Sequence, residues 1–129
     1  MFRCVMSLHG IRTRGVWQKD LVPVLARHGF IPYALDYGSF SVFKFASRRT
    51  RARKLEWFRD EYERVAAEAG VHRPSIVAHS FGTYLVAGLL VKYPEVVFDK
   101  VIFAGSIVDR DFDWPARIEA GQVNLVRND

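Results

Sequence analysis

The sequence has no cysteine pair, no long apolar run and no metal-binding motif, which are the features typical of exported, membrane-spanning and metal-binding chains. Its single cysteine, Cys4, cannot form an internal disulfide, which predicts a reducing, cytoplasmic location. The longest apolar run, at 84–91, is far too short to cross a bilayer, and the N-terminus lacks the apolar region of a secretory signal. We therefore expect neither export nor membrane insertion. No CxxC, HExxH, GxGxxG or P-loop pattern is present, so we expect no metal ion and no cofactor.

Acidic residues are also in deficit, because 19 Lys and Arg stand against 14 Asp and Glu in 129 residues, a net charge of +5. Much of the excess lies in the stretch 44–54, which contains no acid. A basic run without stacking aromatics or groove geometry is weak grounds for nucleic-acid binding, so no nucleic-acid partner is expected. We predict a solvated loop at 44–54, with a contact surface for an anionic partner, an anionic substrate or a membrane face as the alternative.

Apolar runs and helical periods alternate along most of the chain. Strands are predicted at 2–8, 30–37, 75–79, 100–108 and 122–126, and helices at 17–28, 55–70, 81–94 and, more briefly, before Gly121. This order predicts one α/β domain over 1–129, with three α/β/α layers, a mostly parallel five-stranded sheet in the order 2-1-3-4-5 and helices on both faces. The first and third strands are then neighbours, which brings the loop of His9, Gly10 and Ile11 beside Ser80.

The stretch Ala78-His79-Ser80-Phe81-Gly82 places a serine between a predicted strand and a predicted helix. A nucleophile elbow needs small residues two before and two after the serine, because the backbone folds tightly there, and Ala78 and Gly82 meet that need. The backbone amide of Phe81 lies at the start of the helix, where it can hold a developing oxyanion. The pattern therefore predicts Ser80 to be a nucleophile.

Four stretches together resemble the α/β-hydrolase family of the lipase and esterase type: SLHGIRTRGVWQKDLVPVL, IVAHSFGTYLV, VIFAGSIV and VNLVRND. The resemblance covers nearly the whole chain, although the family's first two strands are absent. It implies a serine hydrolase that acts on an ester or related acyl bond of a small-molecule substrate. It also implies oxyanion-hole amides at Ile11 and Phe81 and a catalytic acid at Asp129. Asp109 and Asp111, after the fourth predicted strand, are the alternatives for the acid.

The family's order is serine, acid, histidine, but no histidine follows Ser80. The four present are His9, His28, His72 and His79. Side chains of neighbouring residues diverge at a sharp turn, so His79 is predicted to support Ser80 rather than to act as its base. His9 is predicted to brace the oxyanion loop. His28 ends a helix and His72 lies in a turn, and neither position indicates chemistry.

The missing histidine leaves two functional hypotheses. In the first, the chain is truncated at its C-terminus, and a continuation past Asp129 supplies the base that completes the Ser80 enzyme. The 129 residues alone would then show little turnover, because removal of the base leaves only the contribution of the oxyanion hole and of binding. In the second, the chain is a catalytically inactive α/β-hydrolase-like module for binding or signalling, with the basic 44–54 stretch as a contact surface.

Overall fold

The computed structural model describes residues 3–9, 16–36 and 47–128. Within these ranges the chain forms five strands and four helices, in the order β1 (Arg3–Leu8), α1 (Val16–Arg27), β2 (Phe30–Leu35), α2 (Arg48–Ala69), β3 (Ser75–His79), α3 (Phe81–Lys92), β4 (Phe98–Ala104), α4 (Trp114–Glu119) and β5 (Val123–Asn128). All strand pairs are parallel, and the order across the sheet is β2-β1-β3-β4-β5. The predicted α/β class and strand order are confirmed.

One face of the sheet, here called the closed face, carries the hydrophobic core. Met6, Ile76 and Phe103 project from three adjacent strands and have no exposed surface. They belong to one buried cluster with Phe58 of α2 and Leu89 of α3. Side chains alternate across a strand, so every second residue of these strands contributes to this core.

The opposite face, here called the open face, is covered by α1 over β1 and β2. The buried amide of Gln18 in α1 donates hydrogen bonds to the backbone carbonyls of Ser7 (2.7 Å) and Leu35 (3.3 Å). On β3 and β5 the side chains of this face are less well covered, since Val77 is half-buried and Leu125 is 48% exposed. The helices therefore cover the open face of the sheet less completely than the closed face.

Helix α2 begins earlier than predicted. It was expected from residue 55, but it starts at Arg48, where Ser47 is the N-cap and its hydroxyl accepts a hydrogen bond from the Thr50 amide at 3.4 Å. Arg, Lys and Ala are good helix formers, so the basic run can continue the helix although it has no apolar period. Residues 48–54 are thus helical rather than part of a loop, and 44–46 lie outside the described residues.

Helix α3 is apolar on nearly all sides, because it lies between the sheet and α2. Eight of its residues are buried, among them Leu85 and Leu89, whose side chains have no exposed surface. Its 12 residues are too few for a bilayer span. Across the described ranges, no helix combines the length and apolarity needed to cross a membrane.

Candidate active site

Ser80 lies at the sharp turn between β3 and α3. Its backbone has φ 52° and ψ −116°, and it is the one residue other than glycine with a positive φ in the part of the chain that the structure describes. Such a conformation costs about 1–3 kcal/mol and persists only where the surroundings enforce it. Ser80 also occupies the N-cap of α3, yet its side chain makes no capping hydrogen bond. An N-cap serine ordinarily accepts a hydrogen bond from a backbone amide of the first turn, but the Ser80 hydroxyl does not.

Hydrogen bonds on both sides hold this turn in place. The Ser80 amide donates to the Ala104 carbonyl at 3.2 Å. The Ser80 carbonyl accepts from the Thr83 amide at 3.0 Å and from the Thr83 hydroxyl at 2.6 Å. The same hydroxyl oxygen accepts from the Ile107 amide at 3.1 Å, and Thr83 has no exposed surface. Thr83 thus ties the serine turn to the segment after β4, a role that its sequence position did not reveal.

The end of β1 lies against the first turn of α3. Leu8 pairs with Ala78 across the β1–β3 ladder. A Cβ atom added at Gly82 would lie 2.7 Å from the Leu8 carbonyl oxygen and 3.1 Å from the His9 carbonyl oxygen. Backbone atoms cannot yield as a side chain can, so this position requires glycine. The predicted adjacency of the β1 loop and the Ser80 turn is confirmed as far as His9, while Gly10 and Ile11 lie outside the described residues.

Helix α3 begins at Phe81, directly after Ser80, so the positive end of the helix dipole lies at the serine turn. The Phe81 ring has no exposed surface and stacks on Tyr84, with ring centroids 5.6 Å apart. The first amides of a helix have no intrahelical carbonyl partner, and the aligned peptide dipoles favour negative charge near them. The start of α3 can therefore stabilise negative charge that develops beside Ser80.

His9 is fully buried and makes a polar contact with an acid on the neighbouring strand end. Its Nε2 lies 3.1 Å from Oδ1 of Asp36, whose side chain is 70% exposed. The two residues follow β1 and β2 directly, and the carboxyl ends of neighbouring parallel strands meet at one sheet edge. The positions of His9 and Asp36 after neighbouring strands therefore indicated that the two side chains could meet, but this contact was not predicted. The contact fits a bracing role for His9, which stays a prediction.

His79 packs on the open-face side, beside α1. Its ring meets Trp17 edge-on, with centroids 6.3 Å apart, and a Cβ at Gly105 would lie 3.5 Å from its Nε2. Its Nδ1 is buried and has no hydrogen-bond partner among the described residues, and the same holds for the indole nitrogen of Trp17. His79 thus packs beside the serine turn, which is consistent with the supporting role predicted for it. That role stays a prediction.

The candidate acids differ in their surroundings. Asp109 and Asp111 are exposed on the loop after β4, where the Asp109 carboxylate accepts a hydrogen bond from the Asp111 amide at 2.9 Å. Asp113 caps α4, because its carboxylate accepts from the Ala116 amide at 3.0 Å. Asp129 directly follows β5 but lies outside the described residues. Within the described ranges, no three or more His, Cys, Asp or Glu side chains come together as metal ligands.

The fold has solved relatives among hydrolases. No protein-family model matches the chain, and no curated protein matches it. It is similar to a predicted CIB-like hydrolase from Thermoplasma acidophilum, with a TM-score of 0.54 and 18% identity over 98% of this chain and 75% of the other. A protein assigned as a lipase, from Sulfolobus solfataricus, aligns with a TM-score of 0.61 and 16% identity over 93% of this chain.

A third similar structure comes from a study of carboxylesterases of Nitrososphaera gargenis, with a TM-score of 0.55 and 14% identity over 89% of this chain. The chain spans 43% of the length of this protein and of the Sulfolobus protein. At such low identity these likenesses show the fold. The chain has an α/β-hydrolase-like fold, with Ser80 at the turn that follows the central strand.

Proposed function

We propose that the chain carries the nucleophile half of a serine hydrolase that acts on an ester or related acyl bond of a small molecule. The observation that carries the proposal is the backbone of Ser80, which holds φ 52° at a strand-to-helix turn while its hydroxyl makes no cap. Strain of this kind is kept where the surroundings enforce it, and it clusters at reactive residues. The hydrolase, lipase and carboxylesterase folds of the similar structures are consistent with the proposal.

In the proposed reaction the Ser80 oxygen attacks the acyl carbon, and its proton passes to a base. The carbonyl electrons move to the oxygen, where the amides of Ile11 and Phe81 hold the negative charge. Collapse of this intermediate expels the alcohol, which takes the proton and leaves an acyl-Ser80 ester. Water then attacks the ester by the same steps and releases the acid. The positive end of α3 favours the charged intermediate over the neutral substrate.

The base is the part that these residues do not supply. His9 is engaged with Asp36, His79 packs against Trp17, and no histidine follows Ser80 in the sequence. We propose that the histidine comes from polypeptide outside these 129 residues and that Asp129 orients it, with Asp109 or Asp111 as the alternatives. A cytoplasmic location belongs to the same proposal, since the single thiol, Cys4, is free and buried.

Hydrolysis of a p-nitrophenyl acyl ester tests the proposal. The 129-residue protein should show weak turnover, because a positioned base contributes about 10²- to 10⁴-fold to the rate. With added imidazole, the wild type should hydrolyse the ester faster than Ser80→Ala does. The rate of the Ser80→Ala variant measures the direct reaction of imidazole with the ester and is subtracted. Ser75→Ala, at the other end of β3, is the matched control and should behave as the wild type. Equal imidazole-stimulated rates in wild type and Ser80→Ala would remove Ser80 from the reaction.

A binding or signalling module without activity is the second candidate. It is favoured by the exposed cations in the first turns of α2, where Arg48, Arg49 and Arg53 face solvent. Cations at a helix N-terminus oppose its dipole, so an anionic partner would relieve an unfavourable arrangement. Under this proposal, charge reversal of the three arginines would abolish binding of an anionic partner, and wild type and Ser80→Ala would hydrolyse the ester at the same rate.

A further inference from the structure

One peptide group joins Ser80 to Phe81, and with it the proposed nucleophile to a proposed donor of the oxyanion hole. The carbonyl of this group belongs to Ser80 and the N–H belongs to Phe81. The bond is trans, and a trans peptide is planar, so its C=O and its N–H point in opposite directions. Any contact that fixes the direction of the Ser80 carbonyl therefore also fixes the direction of the Phe81 N–H.

The backbone of Ser80 does not hold this peptide group by its own preference. Its φ of 52° and ψ of −116° lie outside the regions that residues other than glycine ordinarily occupy. The angle ψ sets the rotation of the Ser80–Phe81 peptide plane. Relaxation of ψ to an ordinary value would turn the Phe81 N–H away from its present direction, so contacts from outside must keep the plane in place.

Thr83 contacts the Ser80 carbonyl through two groups. Its amide donates a hydrogen bond to the carbonyl oxygen at 3.0 Å, and its hydroxyl donates a second one at 2.6 Å. The amide bond needs no particular side chain, whereas the second bond requires a short side chain with a hydroxyl group. Thr83 has no exposed surface, and a hydrogen bond shielded from water is electrostatically stronger than an exposed one. The side chain of Thr83 thus restrains the peptide plane.

The Thr83 hydroxyl is itself oriented by the segment after β4. The Ile107 amide donates a hydrogen bond to the hydroxyl oxygen at 3.1 Å. A hydroxyl that accepts one bond and donates another is fixed in rotation, and each bond in such a chain strengthens the next by about 10–30%. This chain runs from the Ile107 amide through the Thr83 hydroxyl to the Ser80 carbonyl. It ends at the Phe81 N–H, because both groups belong to one polarisable peptide.

We propose that Thr83 is a positioning residue of the oxyanion hole. Its hydroxyl, oriented by the Ile107 amide, fixes the Ser80–Phe81 peptide group so that the Phe81 N–H meets the negative charge that develops on the substrate oxygen. Thr83 is buried, so it acts through this peptide group rather than on the substrate. The inference rests on the proposed function, since it needs Ser80 as the nucleophile and Phe81 as a donor.

Imidazole-stimulated hydrolysis of a p-nitrophenyl ester and of the matching thionoester tests the proposal on the 129-residue protein. The negative charge develops on oxygen in the ester and on sulfur in the thionoester, and sulfur is the weaker hydrogen-bond acceptor. Loss of an oxyanion donor costs about 10²- to 10³-fold, so the misdirected donor in Thr83→Val should slow the ester at least about fivefold and the thionoester less than about twofold. Thr83→Ser keeps the hydroxyl and should retain the wild-type ratio of ester rate to thionoester rate. The rate of Ser80→Ala is subtracted throughout.

Tyr62→Phe is the matched control, because it also removes a hydroxyl that donates one hydrogen bond and accepts another. The Tyr62 hydroxyl donates to the Val97 carbonyl at 2.8 Å and accepts from the Val97 amide at 3.1 Å. Val97 directly precedes β4, whereas Ser80 directly follows β3, so the two sites lie at opposite edges of the parallel sheet. Tyr62→Phe should therefore lose stability and keep the wild-type ratio of the two rates.

Ile107→Pro removes the amide that orients the Thr83 hydroxyl and leaves Thr83 in place. It should narrow the ratio of ester rate to thionoester rate in the same direction as Thr83→Val, and it decides the question if Thr83→Val does not fold. Circular dichroism establishes that each variant is folded before its rates are compared.

The outcomes separate this inference from the proposed function. Equal slowing of both substrates in a folded variant, or an unchanged ratio of the two rates, would overturn the positioning role and leave the Thr83 hydroxyl with a structural role. A wild type no faster than Ser80→Ala would contradict Ser80 as the nucleophile, and the positioning role would fall with it.

Discussion

The two faces of the sheet differ in how deeply they bury the side chains of the same strand. On β4, Val101 and Phe103 point to the closed face and have no exposed surface. Lys100 and Ile102, in alternate positions, point to the open face, where Lys100 is exposed and Ile102 is half-buried. The difference arises from the helices of the described part of the chain, because α2 and α3 cover the closed face, whereas α1 lies mainly over β1 and β2 on the open face. Stability should therefore reside on the closed face.

The largest expected effect comes from the two neighbouring residues Phe103 and Ile102. Phe103→Ala should lower the free energy of unfolding by about 3–5 kcal/mol, since it opens a cavity in a packed core. Ile102→Ala should lower it by only about 1 kcal/mol, because the half-buried side chain has less apolar surface to lose. Urea unfolding of both variants measures the contrast. Equal losses would mean that the open face is as tightly covered as the closed face.

The two glycines of α3, Gly82 and Gly88, test how tightly this helix packs on the closed face. Gly82→Ala should destabilise the protein by about 2–3 kcal/mol, because the new Cβ meets the Leu8 carbonyl oxygen at 2.7 Å. Gly88→Ala is the matched control in the same helix. Its Cβ would meet the Leu55 side chain at 3.1 Å, which can shift, and alanine favours the helix by about 1 kcal/mol. Thermal unfolding should show near-wild-type behaviour for Gly88→Ala, and equal effects at both positions would contradict this reasoning.

A pH effect follows from Cys4, which is buried on the closed face. Burial raises the pKa of its thiol from 9.0 to about 11. The unfolded chain then loses the thiol proton first, so stability is intact below pH 9 and falls as the pH rises toward 11. The loss should be on the order of 2 kcal/mol. The difference in unfolding free energy between wild type and Cys4→Ala should shrink over this range, and a constant difference would contradict it.

The smallest expected effect is at Thr83, which links the closed-face helix α3 to the serine turn. Thr83→Val should cost about 1–2 kcal/mol, because the Ser80 carbonyl and the Ile107 amide each lose a hydrogen bond. Thr83→Ser retains the hydroxyl and should restore most of that stability. Urea unfolding of the two variants separates the hydroxyl from the methyl group. A serine variant as unstable as the valine variant would assign the role to packing instead.

Regular patterns predicted the fold well, since alternating apolar runs and helical periods led to the strand order that the structure has. The serine turn was also foreseen, because Ala78 and Gly82 flank Ser80 in a local pattern. The start of α2 was missed, because a run of charged residues has no apolar period. The Thr83 bridge and the contact of His9 with Asp36 join residues 24 and 27 positions apart. Such contacts depend on the packed sheet rather than on any local pattern.

The direct test of the central claim is to map the serine that a fluorophosphonate probe modifies. Intact-protein and peptide mass spectrometry on the 129-residue protein, with added imidazole as base, should show one adduct, and it should lie on Ser80. Ser75→Ala should be labelled as the wild type is, and Ser80→Ala should remain unmodified. A wild-type adduct on another serine, or equal modification of Ser80→Ala, would contradict the assignment of Ser80 as the nucleophile.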